Sequence, residues 1–327
     1  MKKIEEIFSL IERELDGQTA FVQVQIGGEY YSRRIGGGVL PDHPHANGEI
    51  ERSPLWSEWM EEQICRAVVT DGTKENHRNC LMHLNSYHEG LTVADITPEL
   101  VADFSDYLSD CGLKVNTVAK VMKVFRRYVN VAISEDVISS DPFRKYHIRK
   151  EQTKKQSLSE RQLRKIEEYN GTETEMVVVR AFLFSCYTGL RFSDVRKVCW
   201  QDIRKAGRHK WLVVRMQKTG GDVRIPIDSI FGGKAMELVT TRGRLFPDLP
   251  PNSRTNILLQ RVIRKLHIRK HISFHCGRVT CATILIHRGM PITTIQHILG
   301  HRSVNTTQGY AHVLDDTILR DVKKAFR

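Results

Sequence analysis

Apolar residues recur along this chain with two periods, and the changes between them mark its parts. Ile4, Ile7, Phe8 and Ile11 share one helical face near the start, followed by Leu15. Phe21-Val-Gln-Val-Gln-Ile and Glu29-Tyr-Tyr-Ser-Arg-Arg-Ile then alternate on either side of Gly27-Gly28, the pattern of a β-hairpin. Gly36 to Asn47, rich in Gly, Pro and His, follows neither period and reads as a loop. From Ser57 the period is helical. One helix opens at Asp71-Gly-Thr, with Thr73 as its expected cap. Another opens at Thr97-Pro98, where Thr caps and Pro fills the first helical position, whose N–H would have no partner anyway. A third begins near Asn116. It turns Val118, Val121, Met122, Phe125 and Val129 inward and spreads Lys120, Lys123, Arg126 and Arg127 over the remaining surface.

Tyr146 to Gln156 is polar, basic and aperiodic, which predicts a linker and a domain boundary near residue 156. Ser159-Glu-Arg-Gln162 is a capping box and restarts the helical pattern. Met176 to Tyr187 is apolar nearly all round, as a fully buried helix is. Gly189 ends it, Arg191 emerges directly after, and Ser193 is the expected cap of a short helix carrying Asp194. Trp211-Leu-Val-Val-Arg-Met and Val223-Arg-Ile-Pro-Ile flank Lys218-Thr-Gly-Gly, a second hairpin with Lys218 at its turn. Further helices are expected over 256–266, 274–287, 292–299 and 316–326. The pattern predicts a mainly α protein with small β-hairpins. It comprises an N-terminal appendage (1–53), a helical domain (54–150), a linker (151–157) and a mixed, mostly α domain (158–327).

Composition adds a partner class. The chain carries 50 Lys and Arg against 38 Asp and Glu, a formal net charge of +12. Residues 1–52 hold six basic and nine acidic residues, so the positive field belongs to the later domains. A polyanion, nucleic acid before membrane, suits that distribution. No apolar run approaches the ~20 residues that span a bilayer, and the acid-rich start lacks the apolar centre of a signal peptide. A cytoplasmic protein is expected. The seven cysteines contain no Cys-x-x-Cys; Cys186, Cys199, Cys276 and Cys281 lie in apolar stretches and read as reduced thiols, with no metal site.

The candidate chemistry lies in the last half. Leu299-Gly-His301 is followed nine residues on by Tyr310, and upstream stand Arg191, Lys218 and the pair His275/Arg278. A phenolic oxygen can attack phosphorus and keep the bond energy in a covalent link for rejoining. His275 and Arg278, three apart at an expected helix start, share a face beside free amides and the positive dipole end, a phosphate site. Two arginines on one phosphate would stabilise its non-bridging oxygens at the transition state. Lys218 on a hairpin tip could protonate a departing 5′ oxygen. His301 could donate to a non-bridging oxygen or orient Tyr310. Singly, each motif has an ordinary explanation as a helix stop, a turn or a surface His. Their joint order over residues 188–312 of a basic chain points to cutting and rejoining DNA.

Thr188-Gly-Leu-Arg-Phe-Ser-Asp194, Gln217-Lys-Thr-Gly, His275-Cys-Gly-Arg278 and Leu299-Gly-His through Tyr310-Ala-His312 resemble the tyrosine recombinase, or phage integrase, family. The resemblance covers residues 157–327; region 54–150 matches the family's core-binding domain only in size, helix content and basicity. It implies that Arg191 and Arg278 clamp the scissile phosphate, Lys218 is the general acid, His275 a proton carrier, and His301 a further donor. Tyr310 would form the 3′-phosphotyrosine link and Asp194 would brace an arginine. It also implies no metal or cofactor, a double-stranded DNA target, and a homo-tetramer exchanging strands through a Holliday junction. Val279 departs from the histidine common after the second arginine, and Cys281 from a usual aromatic. For Lys120, Lys123, Arg126 and Arg127, DNA phosphate is the expected contact. Two other classes stay open, a type IB topoisomerase-like enzyme and a non-catalytic DNA-binding regulator on the same fold. Also open are an arm-type DNA contact by residues 1–53, an accessory DNA-bending or directionality protein, and whether Asp316–Phe326 packs in cis or on a neighbour.

Overall fold

The computed structural model describes residues 7–9, 11, 20–26, 29–35, 51–52, 54–153, 155–218, 220–309 and 322–323. The chain divides into two compact units, Met1–Gln152 and Thr153–Arg327.

In the first unit, β1 (Ala20–Ile26) and β2 (Glu29–Ile35) pair antiparallel with Ala20 opposite Ile35, the expected hairpin. A two-residue strand that the alternation did not announce, β3 (Glu51–Arg52), adds to β2. The loop expected at 36–47 lies outside the described residues, as does most of the first expected helix, though positions 7–9 and 11 are helical. Four helices come next: α1 (Trp56–Arg66), α2 (Asp71–Tyr87), α3 (Pro98–Asp110) and α4 (Val115–Ser134). All five apolar positions assigned to α4 are buried, with Ala119, Tyr128 and Ala132 beside them. Phe125 is the hub of this core. Its ring meets Trp56, Phe104 and Phe143 edge-on at centroid distances of 5.8, 5.7 and 5.3 Å, the geometry favoured by the aromatic quadrupole.

Thr97 caps α3 as expected, accepting from the Leu100 N–H. Thr73 does not cap α2. The Thr70 carbonyl already accepts from the Thr73 and Lys74 N–H groups at 2.8 and 3.0 Å, so the helix is closed three residues earlier. The expected linker also starts too early. Tyr146 and Ile148 pack against the aromatic core, and the Tyr146 hydroxyl donates to Ser105 Oγ at 2.5 Å. Asn116 then ties down the Glu151 backbone, donating to its carbonyl at 3.0 Å and accepting its N–H at 3.2 Å. A polar composition concealed these long-range anchors.

The second unit begins with α5 (Glu160–Glu167), whose Ser159/Gln162 capping box forms as expected. Two central helices organise the rest, α6 (Glu173–Thr188) and α10 (His275–His287). Between them in sequence come a short α7 (Phe192–Val195), an antiparallel sheet of β4 (Ile203–Ala206), β5 (His209–Arg215) and β6 (Asp222–Pro226), α8 (Lys234–Glu237) and α9 (Asn252–Lys265). After α10 come α11 (Ile292–Leu299) and α12 (Val304–Gln308). Helix α9 starts four residues before its apolar period, directly after Pro250-Pro251. The expected helix at 316–326 lies outside the described residues except for Val322 and Lys323.

Helices α6 and α10 pack closely because Gly277 has no side chain. A Cβ there would stand 2.9 Å from Ser185 Oγ and 3.2 Å from the Phe182 ring. Gly277 lies between His275 and Arg278, so this close approach fixes both against α6. No helix among the described residues is long and apolar enough to cross a membrane.

Candidate active site

The site is assembled where two helices end. Helix α6 stops at Gly189, whose φ of 71° is left-handed and open to glycine at little cost. The turn is locked from within: Gly189 N–H donates to the Ser185 carbonyl at 2.8 Å, and Ser185 Oγ donates to the Leu190 carbonyl at 2.7 Å. Helix α11 stops in the same way at Gly300, with φ 61°. A Cβ on Gly300 would meet Val223 Cγ1 at 2.6 Å, so the Leu-Gly-His turn lies directly on the turn end of the β5–β6 hairpin.

Arg278 joins the two helix ends. It is 1% exposed, and its Nη1 donates to the Gly189 carbonyl at 2.8 Å while Nη2 donates to the Leu299 carbonyl at 2.6 Å. Helix C-termini carry partial negative charge, and two of them converge on one buried guanidinium, offsetting its desolvation. The acceptors stand two residues before Arg191 and two before His301. One side chain therefore sets the positions of both.

Arg191 leaves the locked turn as the N-cap of α7, its carbonyl accepting from the Asp194 and Val195 N–H groups at 3.0 and 2.9 Å. Ser193, the expected cap, lies inside that helix, because the chain turns helical directly after Arg191. Arg191 Nη1 is buried without a hydrogen-bond partner among the described residues. A buried, unpaired guanidinium nitrogen is costly to leave unmet, and an anion would satisfy it.

Asp194, 2% exposed, does not form an ion pair with Arg191 among the described residues. Its Oδ1 accepts the Gln217 N–H at 2.9 Å. The expected brace on an arginine is thus a brace on the hairpin tip that carries Lys218. The tip is closed by Gly220 N–H to the Met216 carbonyl at 2.8 Å, and Lys218 projects from it exposed.

His275 opens α10, but the amides there are not free as the sequence suggested. Phe274 N–H donates to Asn256 Oδ1, and Cys276 and Gly277 N–H donate to the Ser273 and Phe274 carbonyls. Anion binding falls to side chains. Partial burial first, then the charges of Arg278, Arg191, Lys155 and Lys218, hold the His275 imidazole below its ordinary pKa. His301 is pushed down to about 4 by burial and by Arg278, Arg191, Lys155 and His275. Both are neutral near pH 7 with the site empty of phosphate, and a bound anion would raise both. Thr307, buried on α12, holds His301 Nδ1 at 2.8 Å. The pattern did not announce that short helix, which rests on Thr307 and on no apolar period.

Arg191, Lys218, His275, Arg278 and His301 thus come together, and Lys155 joins them from a segment the sequence presents only as a basic linker. Its tertiary placement has no local signal. Tyr310 lies outside the described residues; its neighbour Gly309 is described, and a Cβ on Gly309 would stand 3.2 Å from Lys155 Nζ.

In the helical unit, Lys120, Lys123 and Arg127 are exposed on α4 and Arg126 is half-buried. Lys120 donates to Asn76 Oδ1. Arg126 lies 5.7 Å over the Phe143 ring and 3.8 Å from Asp141, so part of its charge is already met. Lys123 stands against Lys150, and that contact lowers its pKa. Two ammonium groups held together on a surface favour an anion between them.

Comparison with known proteins agrees with this division. A model of the phage integrase family matches residues 156–317, and one of a phage integrase SAM-like domain matches residues 56–148. A tyrosine recombinase XerC of Pelobacter propionicus is 34% identical over 158 residues, covering 45% of this chain and about half, 51%, of that protein's length. A tyrosine recombinase XerD of Shewanella oneidensis is 24% identical over 279 residues, 80% of this chain and 92% of that protein. The solved lambda integrase tetramer bound to a Holliday junction shares the fold with a TM-score of 0.68 at 17% identity, over 90% of this chain and 94% of that one.

Proposed function

The chain belongs to the phage integrase family of tyrosine recombinases, and on that premise we propose that it cuts and rejoins duplex DNA at a specific site through a 3′-phosphotyrosine link to Tyr310. The observation that carries the reading is the cationic pocket of Arg191 and Arg278, in which a buried Arg191 guanidinium nitrogen has no partner among the described residues. A scissile phosphate entering there meets Arg191 directly, with the Arg278 charge fixed behind it. Stabilising the non-bridging oxygens in this way is the electrostatic part of catalysis.

Tyr310 gives its phenol proton to water, its oxygen bonds to phosphorus, the bond to the 5′ oxygen breaks, and Lys218 supplies the proton that oxygen takes up. His275 and His301, neutral before binding, donate N–H to the phosphate oxygens and can carry protons as the charge develops. Reversal of the step with a different 5′ hydroxyl completes strand exchange. The reaction conserves the number of phosphodiester bonds and needs no energy input.

The helical region 54–150 is the core-DNA-binding domain in this reading, with Lys120, Lys123, Lys150 and Arg127 on phosphates. Four protomers assemble on two sites, as the lambda integrase tetramer does on a Holliday junction. The natural setting is a mobile or invertible DNA element.

The test expresses the protein beside its own gene's flanking DNA and sequences the new junctions. Recombined junctions at one sequence, lost in Tyr310→Phe, are expected. Plasmid relaxation without any preferred site would assign the chemistry to a topoisomerase instead, and DNA binding without cleavage would leave a regulator.

A further inference from the structure

We propose that Asn256 is a positioning residue of the active site: through the backbone of Phe274 it sets where His275 stands against the phosphate. The inference rests on the recombinase reading above and adds to it a residue that touches no reacting atom.

Helix α9 reaches the start of α10 with two side chains, one turn apart and on the same face. Gln260 Nε2 donates to the Ile272 carbonyl at 2.5 Å, and Asn256 Oδ1 accepts the Phe274 N–H at 2.7 Å. The strap between these bonds, Ile272 to Phe274, leads directly into His275. The Asn256 amide is itself held in orientation, because its Nδ2 donates to the Asn252 carbonyl at 2.8 Å and to Asn252 Oδ1 at 3.0 Å. Its donor end is used on α9 and its acceptor end on the strap. Asparagine gains little inside a helix, where its side chain competes with the backbone. Its place in the second turn of α9 is explained by the bond across to Phe274, not by helix formation.

The other end of Phe274 is fixed as well. Its ring is buried and meets Phe192 edge-on at 5.1 Å and Phe182 edge-on at 5.9 Å between centroids. Phe192 follows Arg191 in the chain. Phe182 is the ring that would stand 3.2 Å from a Cβ on Gly277, the residue before Arg278. With the ring wedged there, the freedom left to Phe274 is a rotation of its backbone. The bond to Asn256 removes that rotation, and the direction in which the chain enters His275 is set with it. A close-packed interior passes such a constraint on undiminished, since few voids absorb it.

His275 is the residue for which this matters most. Arg278 is fastened by its own two bonds to the Gly189 and Leu299 carbonyls, and Arg191 by the locked turn after α6. His275 stands at the first position of α10, where helices fray, and the strap supplies the support that the helix does not. Positioning to a fraction of an ångström is what phosphoryl transfer asks of such a group, and a misplacement of ~1 Å can cost about a hundredfold in rate.

The experiment uses the full chain on a duplex recombination site, with single-turnover adduct formation at saturating protein and duplex affinity measured separately. Asn256→Ala is expected to form the covalent adduct about ten- to a hundredfold more slowly while its Kd for the duplex stays close to that of the unaltered protein. Gln260→Met, which removes the other bond of the strap, should show the same split with a smaller loss. In a His275→Gln background, Asn256→Ala should cost little more, because the group it positions is already gone. A double variant that loses the product of the two single losses would overturn the assignment. So would an affinity that falls in step with the rate, or an Asn256→Ala variant as fast as the unaltered protein. Should Asn256→Ala show no cooperative urea transition, the same cycle run with Gln260→Met and His275→Gln decides. Absence of any adduct with the unaltered protein would sink the recombinase reading instead.

Discussion

The helical unit and the catalytic unit both present cations, yet they hold them in opposite ways. On α4 the charges ride the solvent face of an amphipathic helix whose other side is buried around Phe125. Their places follow from helical period, and what contacts they make are at the surface, Lys120 with Asn76 and Arg126 with Phe143 and Asp141. In the catalytic unit Arg278 is buried and fastened to two helix-end carbonyls, and Arg191 leaves a turn locked by Ser185 and Gly189. A charged surface face binds a polyanion by number. A fixed pair binds one phosphate by position, which chemistry requires and binding does not.

That contrast is sharpest at Arg278. Arg278→Ala would leave the Gly189 and Leu299 carbonyls buried without donors and open a cavity between three helices. Unmet buried groups cost about 1–3 kcal/mol each, so a stability loss of about 2–5 kcal/mol is expected, read as a lower urea midpoint. DNA cleavage should disappear with it. Arg191→Ala should behave differently: the adduct forms about a hundred- to a thousandfold more slowly, as for a missing oxyanion donor, while the urea midpoint stays nearly unchanged. Equal destabilisation by both variants would erase the distinction drawn between anchor and ligand.

Most of the architecture was legible in the residues, and the exceptions share a cause. Buried periods, glycine stops and capping boxes are local, so α4, α6, the Ser159 cap and the helix end at Gly300 follow from sequence. The convergence of Arg191, Lys218, His275, Arg278 and His301 was signalled by motif order. What escaped depends on contacts distant in the chain. Lys155 belongs to the pocket through Thr280 and Lys270, and Asp194 serves the hairpin through Gln217. The amides at the start of α10 are used by Asn256 and by the chain's own turn. No spacing rule along the sequence announces such anchors.

On the other side of the comparison, Lys120, Lys123 and Arg127 changed together to Gln should weaken DNA binding at all sequences alike. The slope of log affinity against log salt should fall by about 0.9 for each phosphate no longer neutralised, roughly 2.7 for three. Cleavage at saturating protein and the thermal midpoint should change little. A change in sequence preference would show that this face reads bases.

The smallest expected effect is in pH. His301 is depressed from an ordinary 6.5 to about 4, so as pH falls through this window the unfolded chain takes up the proton first. Stability of the catalytic unit therefore declines from pH ~6.5 toward 4, and His301→Gln should flatten that part of the profile in urea titrations. Binding DNA brings a phosphate to the same imidazole, so complex formation near pH 5 should take up protons. Calorimetry in two buffers of different ionisation enthalpy reads that uptake.

In the proposed reaction a phenol at position 310 receives the phosphate held by these arginines. Peptide mapping of the adduct trapped on a duplex recombination site tests it most directly. A nucleotide joined to Tyr310 through its 3′ phosphate, with a free 5′ hydroxyl on the released strand, is the predicted result. The same DNA fragment carried by another residue, or a released strand bearing a 5′ phosphate, would contradict it.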